Sequence, residues 1–255
     1  MLHEDRRRAG SFGEDAEQYD RARPSYPAAL VDDLLADGAR DVLDVGCGTG
    51  KVARLFLARG CNVLGVEPDE RMAAVARRHG VVVEHATFEE WDAAGRTFDL
   101  VVAGQTWHWV HPDRGADKAA AVLRPHGRLA VFWNRASHQP HVKAAFEAVY
   151  ARVAPGLDTH SILLGNVADS RFTDTADSFR RNGAFEDPSI RTFRWEQRYT
   201  RDEWLDALPT YSDHRTLPPD VLARLLDDIG AVIDEMGGAF DVTYETVVVT
   251  ARRRA

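Results

Sequence analysis

The chain has 255 residues, 44% of them apolar and 28% charged, with 40 acidic against 32 basic side chains and a net charge of -8. That composition fits a globular protein with a sizeable core, and the acidic balance argues against a nucleic-acid backbone as a habitual partner, because such affinity comes from basic patches. Two cysteines, Cys47 and Cys61, allow neither a disulfide framework nor a cysteine-based zinc site.

No apolar run approaches the roughly 20 residues that cross a bilayer, and the opening MLHEDRRRAG lacks the apolar stretch of a signal peptide. A cytoplasmic protein without a membrane partner is expected. The basic runs Arg6-Arg7-Arg8 and Arg252-Arg253-Arg254 read as solvated ends.

Residues 42 to 134 alternate strand and helix. DVLDVG is a short apolar strand ending at glycines, and KVARLFLARG is a helix closed by Gly60. NVLGVEP is a second strand stopped by Pro68. DERMAAVARRHG is a helix with Asp69 as its N-cap and Gly80 after its last turn. VVVEHA, FDLVVAGQ and GRLAVFWN read as the third, fourth and fifth strands, the last preceded by a helix in DRGADKAAAVLRPHG that ends at Pro125. Nearly continuous Val/Leu strands with short connections predict an open, doubly wound sheet buried on both faces.

Beyond residue 135 the pattern changes. Residues 136–183 look mainly helical, VKAAFEAVYARV most clearly, with a loop-like GLDTHSILLGN. SIRTFRWEQRY alternates as a strand does. TRDEWLDAL opens on the capping box Thr200/Glu203. In PPDVLARLLDDIGAVIDEMGG, Leu222, Leu225, Leu226, Ile229, Val232, Ile233 and Met236 share one face of a helix that Pro219 can begin. DVTYETVVVTARR is a final strand.

Two features carry chemistry. Gly46, Gly48 and Gly50 follow the first strand and open a helix, a context in which bare backbone and free N–H groups approach a ligand. Glycine also suits any tight turn, but Glu67 ends the second strand, where a nucleotide site needs a carboxylate for both ribose hydroxyls. Lys51 stands where a dinucleotide fingerprint needs its third glycine, so an adenosine ligand without pyrophosphate is favoured over NAD. The second feature is AGQTWHWVHP, residues 103–112, which reads as a metal site, as core, or as the wall of a reaction chamber. His108 and His111 could meet on a helical turn, but no H-E-x-x-H pattern or cysteine joins them, and no metal is expected.

VLDVGCGTG closely resembles the first motif of the class I S-adenosylmethionine-dependent methyltransferases (methyltransferase type 11 domain). GVEPDERM, ATFEEW, FDLVVAGQTWHWV and AAVLRPHGRLAVFWN resemble the later motifs in the same order, and FGEDAEQYDRARPSYP resembles the lead-in helix of small-molecule members. The nearest group is similar to the trans-aconitate methyltransferases, through RPSYP, WHWV and the ending GGAFDVTYETVVVTARR.

The resemblance implies a Rossmann-like, doubly wound α/β fold. Its seven-stranded sheet is mostly parallel, the antiparallel last strand forms a hairpin with the sixth, and a helical insertion caps the substrate. One domain would span 1–255, with lead-in helices in 1–35, the cofactor core in 36–135, the cap in 136–185 and the remaining strands and helices in 186–255.

The same resemblance implies S-adenosylmethionine as cofactor and S-adenosylhomocysteine as product. Gly46, Cys47, Gly48, Thr49 and Gly50 would lie under the methionine portion, with Asp44 supporting its ammonium and Tyr19 and Arg23 closing over its carboxylate. Glu67 would take the ribose, Pro68 and Met72 one side of adenine, and Thr87 and Phe88 the other. Gln105 would also contact the cofactor.

The end of the fourth strand is where donor meets acceptor in this architecture. Trp107, Trp109 and Trp133 would shape the acceptor pocket, and His108 would act as general base or as an orienting donor. His138, His160, Trp204, Tyr211 and His214 are further candidates. Gly104-Gln105-Thr106-Trp107 replaces the Asn/Asp-Pro-Pro-aromatic pattern of base-amine methyltransferases, so a small-molecule acceptor, methylated at a carboxylate or hydroxyl oxygen, is expected. A tRNA or protein methyltransferase and a non-catalytic cofactor-binding module are the alternatives, and the protein is expected as a monomer or homodimer.

Overall fold

The computed structural model describes residues 13, 15–157 and 169–255. Two short helices lead in, α1 (Ala16–Ala22) and α2 (Ala28–Leu34). Strand and helix then alternate as the apolar periodicity requires: β1 (Asp41–Val45), α3 (Lys51–Leu57), β2 (Asn62–Glu67), α4 (Glu70–Arg78), β3 (Val82–His85) and β4 (Phe98–Gly104). The Asp69 carboxylate caps α4 by accepting from Arg71 N at 2.9 Å. A single 3-10 turn over Trp107–Trp109 leads to α5 (Pro112–Val122), and β5 (Leu123–His138) follows directly.

The second half contains α6 (Pro140–Val153), α7 (Asp169–Asn182), β6 (Ser189–Thr200), α8 (Arg201–Ala207), α9 (Ser212–Arg215), α10 (Pro219–Glu235) and β7 (Ala239–Arg252). The expected capping box at α8 is present, with Thr200 and Glu203 each satisfying the other's backbone amide. On α10, Leu225, Ile229 and Ile233 are buried.

All seven strands form one sheet in the order β3-β2-β1-β4-β5-β7-β6. Strands β1 to β5 pair in parallel, and β7 pairs antiparallel with both β5 and β6. The chain reverses its direction of winding between β1 and β4, so the carboxyl ends of those strands flank the crevice where such sheets bind ligands. Strand β7 does pair with β6, but residues 201–238 and their helices intervene, so the two are not joined by a tight turn.

One face of the sheet is covered by α2, α3 and α4 through Leu30, Leu34, Phe56, Ala73 and Ala76. The other is covered by α5 and α7 through Ala116, Ala119, Phe172, Ala176 and Phe179, with Trp107 and Trp133 in the same cluster. A third cluster stands apart. It joins Phe146 and Tyr150 of α6, Trp204 of α8, Leu225, Ile229 and Ile233 of α10, and Phe240 and Tyr244 of β7.

Residues 136–185, expected as one helical cap, therefore divide. Residues 136–138 continue β5, α6 builds the separate cluster with α8 and α10, and α7 lies on the sheet because Phe172, Ala176 and Phe179 recur at helical spacing and are buried there. The helix before β5 likewise ends at Val122 rather than at Pro125, since Leu123 already pairs with Phe98. Among the described residues no helix is long and apolar enough to cross a membrane.

Candidate active site

Strands β1, β2 and β4 end at one cavity of about 440 Å3, and β5 borders it at Asn134 and Ala136. Its floor is the turn after β1. Gly46, Gly48 and Gly50 all have left-handed backbone (φ +59°, +55° and +82°), a region glycine enters without a steric penalty. At Gly46 the requirement is doubled, because a Cβ would lie 2.1 Å from the Thr106 methyl. The Thr106 hydroxyl sits 3.0 Å from Gly46 O and 3.1 Å from Gly104 O, stitching the turn to the end of β4. Gly46, Cys47, Gly48 and Thr49 all line the cavity, whereas Gly50 caps α3 behind it.

Two buried acids face this turn. Glu67, at the end of β2, accepts from Gly48 N at 2.8 Å through one oxygen and from Asp69 N at 2.9 Å through the other. Each oxygen thus retains acceptor capacity. Burial pushes its carboxyl up to about 7 in spite of those two amides. Asp44, at the end of β1, is 1% exposed and neither oxygen has a hydrogen-bond partner among the described residues. Burial pushes it up to about 8, offset only in part by the nearby Ala53 amide, which does not reach hydrogen-bond geometry. A carboxylate so placed is costly unless a cation or donor joins it. Pro68 and Met72 complete this side of the cavity.

The opposite side is assembled from distant segments. Tyr19 comes from α1 and Arg23 is its C-cap, and Gln18 and Arg21 of the same helix both bond Asp206 of α8, Arg21 at 2.7 Å. The Arg23 guanidinium lies 4.1 Å from the Tyr211 ring centroid and 5.4 Å from that of Tyr19, and no carboxylate among the described residues pairs with it. The RPSYP segment is held by β5, where Asn134 donates to Ser25 O at 2.9 Å and accepts from the Thr246 hydroxyl at 2.6 Å. Tyr26 packs edge-on against Phe132 at 4.9 Å.

The AGQTWHWVHP stretch separates by residue. Gln105 has left-handed backbone at φ +56°, a strained state for a non-glycine residue and one that clusters at functional sites. It lines the cavity with His108 and Trp109. Trp107 does not line it: the ring is 4% exposed and packs edge-on against Phe179 at 5.8 Å. Trp133 is fully buried and also stands behind the cavity, donating from its indole N–H to His108 Nδ1 at 3.1 Å. His111 caps α5 through its ring nitrogen. Among the described residues no three His, Cys, Asp or Glu side chains converge as a metal site would need.

Thr87 and Phe88, expected beside adenine, do not line the cavity, and the Phe88 ring is buried in the core 6.2 Å from Trp107. His138 and Trp204 belong to the separate cluster, 5.4 Å apart edge-on. His214 is fully buried, 2.8 Å from the Tyr150 hydroxyl, and burial lowers it to about 4. Tyr211 does line the cavity, and His160 lies outside the described residues. Sequence reading missed Tyr26, Lys51, Thr106, Asn134, Arg171 and Tyr244, all of which line it. Lys51 adjoins the glycine turn and Tyr26, Thr106, Asn134 and Tyr244 lie inside recognisable motifs, whereas Arg171 carried no local signal.

The methyltransferase domain family model matches residues 43–131, the block that supplies this floor. Over that block, from β1 into β5, the chain is similar to a methyltransferase domain. Over 126 residues it is 43% identical to an uncharacterised methyltransferase of Mycobacterium tuberculosis (strain ATCC 25618 / H37Rv), covering 49% of this chain and 52% of that one. It is 30% identical over 147 residues to the malonyl-[acyl-carrier protein] O-methyltransferase of Enterobacter lignolyticus, covering 55% and 59%. These alignments span about half the length of the curated relatives they match. Among solved structures, a protein from Anaeromyxobacter dehalogenans provisionally assigned as a type II methyltransferase superposes with TM-score 0.65 at 24% identity, over 90% of this chain and 97% of that one. That likeness shows a shared fold.

Proposed function

We propose that the protein transfers a methyl group from S-adenosylmethionine to an oxygen, carboxylate or hydroxyl, of a small molecule. The observation that carries this reading is Asp44, whose two buried oxygens lack partners in a cavity that also presents Glu67 and the glycine turn. The donor set fits the cofactor. Asp44 would meet the ammonium, Glu67 would accept from the ribose hydroxyls, and Arg23 would clamp the carboxylate in two-pronged fashion. Pro68 and Met72 would pack on adenine, while Tyr19 holds Arg23 in place. When bound, S-adenosylmethionine supplies an activated methyl on a sulfonium, so the protein's task is mainly alignment, which can lower a barrier by ~7–11 kcal/mol.

The His108 contact bears on the acceptor. An indole N–H only donates, so Nδ1 accepts from Trp133 and the neutral ring carries its proton on Nε2. In that tautomer His108 is a donor, and it would orient the acceptor oxygen rather than remove a proton from it. A carboxylate, already a nucleophile, needs no base. The O-methyltransferase among the relatives supports oxygen as the atom methylated. The likeness to the trans-aconitate group rests on sequence motifs alone.

Thermal shift tests the reading. S-adenosylmethionine and S-adenosylhomocysteine should raise the unfolding midpoint and NAD should not; stabilisation by NAD alone would overturn it. A screen of small acids and phenols for consumption of the methyl donor should then identify the acceptor class.

A further inference from the structure

Among the described residues three cationic side chains line the cavity: Arg23, Lys51 and Arg171. Lys51 faces the Asp20 carboxylate, which in turn pairs with Arg54 at 2.6 Å. Arg23 is left for the single carboxylate of the cofactor. Arg171 remains.

Its guanidinium is half-buried, no carboxylate among the described residues pairs with it, and burial alone acts on it, pushing it below the ordinary arginine range. The acids that line the cavity do not offset it. Asp69 is taken by Arg71 at 2.7 Å, Glu67 by two amides, and Asp44 and Asp213 exert no resolved influence on Arg171. Elsewhere in this acidic chain arginines find partners, as in Arg124 with Asp41 and Asp99, Arg152 with Asp228, and Arg180 with Asp177 and Asp187.

A long arginine can turn its head to water at little cost, so holding one against a cavity without a counter-charge is unfavourable unless an anion arrives. Arg171 is also rigidly carried. Phe172, its neighbour on α7, is buried 5.7 Å from Trp133, the same indole that fixes His108.

We propose that Arg171 is the specificity-determining residue for the methyl acceptor, gripping an oxyanion of that molecule while His108 meets the oxygen to be methylated. This rests on the cavity being the S-adenosylmethionine site, with Arg23 engaged by the cofactor. A planar guanidinium serves a carboxylate or a phosphate monoester, each in two-pronged fashion; a neutral acceptor would leave it unpaired.

Calorimetric titration of the S-adenosylhomocysteine-loaded protein tests this, using glutarate and propane-1,2,3-tricarboxylate as carboxylate probes, glycerol 3-phosphate as the phosphate probe, and glycerol as the neutral control. At least one anionic probe should bind, and the arm that binds names the oxyanion. Arg171→Met should weaken that binding tenfold or more, Arg171→Lys should retain part of it, and both should bind S-adenosylhomocysteine as the wild type does. Arg23→Met should instead weaken S-adenosylhomocysteine. The inference falls if no anionic probe binds the loaded wild type, if glycerol binds as well as they do, or if Arg171→Met binds them unchanged. Failure of S-adenosylhomocysteine to bind the wild type is a separate measurement and overturns the cofactor reading itself. Should Arg171→Met fail to fold, Arg171→Lys decides alone, by whether it shifts anion affinity at constant cofactor affinity.

Discussion

The two sides of the cavity are built in opposite ways. The floor comes from about 30 consecutive residues, runs from β1 through β2 into α4, and presents acids and bare backbone, with Lys51 its one cation among the described residues. The far side draws single residues from α1, β5, α7, α9 and β7, and presents cations and aromatic rings. The floor suits the part of a ligand that never varies, because its spacing is fixed by one strand–turn–helix unit. The far side can change one residue at a time without disturbing that unit, which is how one fold comes to serve many acceptors.

The floor should be the more sensitive to mutation, and Glu67→Ala is the sharpest way to show it. Its carboxylate pins Gly48 N and Asp69 N, and in the proposed site it would offer its remaining lone pairs to the ribose. Charged hydrogen bonds contribute about 1.5–3 kcal/mol each, so loss of two should weaken S-adenosylhomocysteine binding roughly 10²- to 10⁴-fold. Retention of wild-type affinity in a titration would mean that the floor is not the ribose site.

Asp44→Asn should have a smaller effect on affinity and the opposite effect on the empty protein. Removing the charge that meets the ammonium should weaken S-adenosylhomocysteine on the order of tenfold. The same change relieves a buried carboxyl that has no partner, so the ligand-free variant should unfold about 1–3 kcal/mol less readily. Chemical denaturation with and without ligand reads both signs. A variant that is destabilised when empty would show that Asp44 is already satisfied.

The floor's acids also fix a pH dependence. Burial raises Asp44 to about 8 and Glu67 to about 7. Acids raised on folding favour the folded state below their ordinary values, and that contribution is lost as pH rises through the folded values. The ligand-free protein should therefore lose stability from these groups between about pH 4 and 8. Cofactor affinity runs the other way, because the ammonium prefers the ionised carboxylates: it should weaken on the order of tenfold between pH 8.5 and 6.5. Calorimetric titration across that range tests it, and a flat profile would place both carboxyls near their ordinary values.

The same division explains what the amino-acid sequence made legible. The turn, its helix and Glu67 announce themselves because local backbone demands dictate glycine, and a strand end dictates where the carboxylate falls. The sheet was legible for a related reason, since strands buried on both faces leave unbroken apolar runs. Arg171 reaches the cavity only through the tertiary fold, and nothing in its neighbours marks it; Asn134 and Tyr244 lie inside recognisable motifs, but which residue of each motif faces the cavity is set by the tertiary fold. The tryptophans misled for a physical reason too. A large ring near a site is as useful behind the wall as on it, and Trp107 and Trp133 are buried where α7 covers the sheet. Helix α7 itself read as cap because its apolar face has the same period whether it covers the sheet or stands free.

The smallest expected effect concerns that hidden layer. Trp133→Phe keeps most of the buried ring but removes the donor to His108 Nδ1. The lost hydrogen bond is about 1 kcal/mol, and the trimmed core adds a modest loss of stability, so the protein should still fold and bind S-adenosylhomocysteine as the wild type does. What changes is the imidazole. With Nδ1 held by the indole, nitrogen-15 spectra of the wild type should show a single tautomer protonated at Nε2; without it, both tautomers become populated. If His108 works as a donor, Trp133→Phe should slow turnover a few-fold through the fraction of rings in the wrong tautomer, and His108→Ala should slow it further. If His108 works as a base, the freed ring should instead turn over faster, because an unprotonated Nε2 is then available. The direction of that small change separates the two roles, and it does so from a residue that never touches the acceptor.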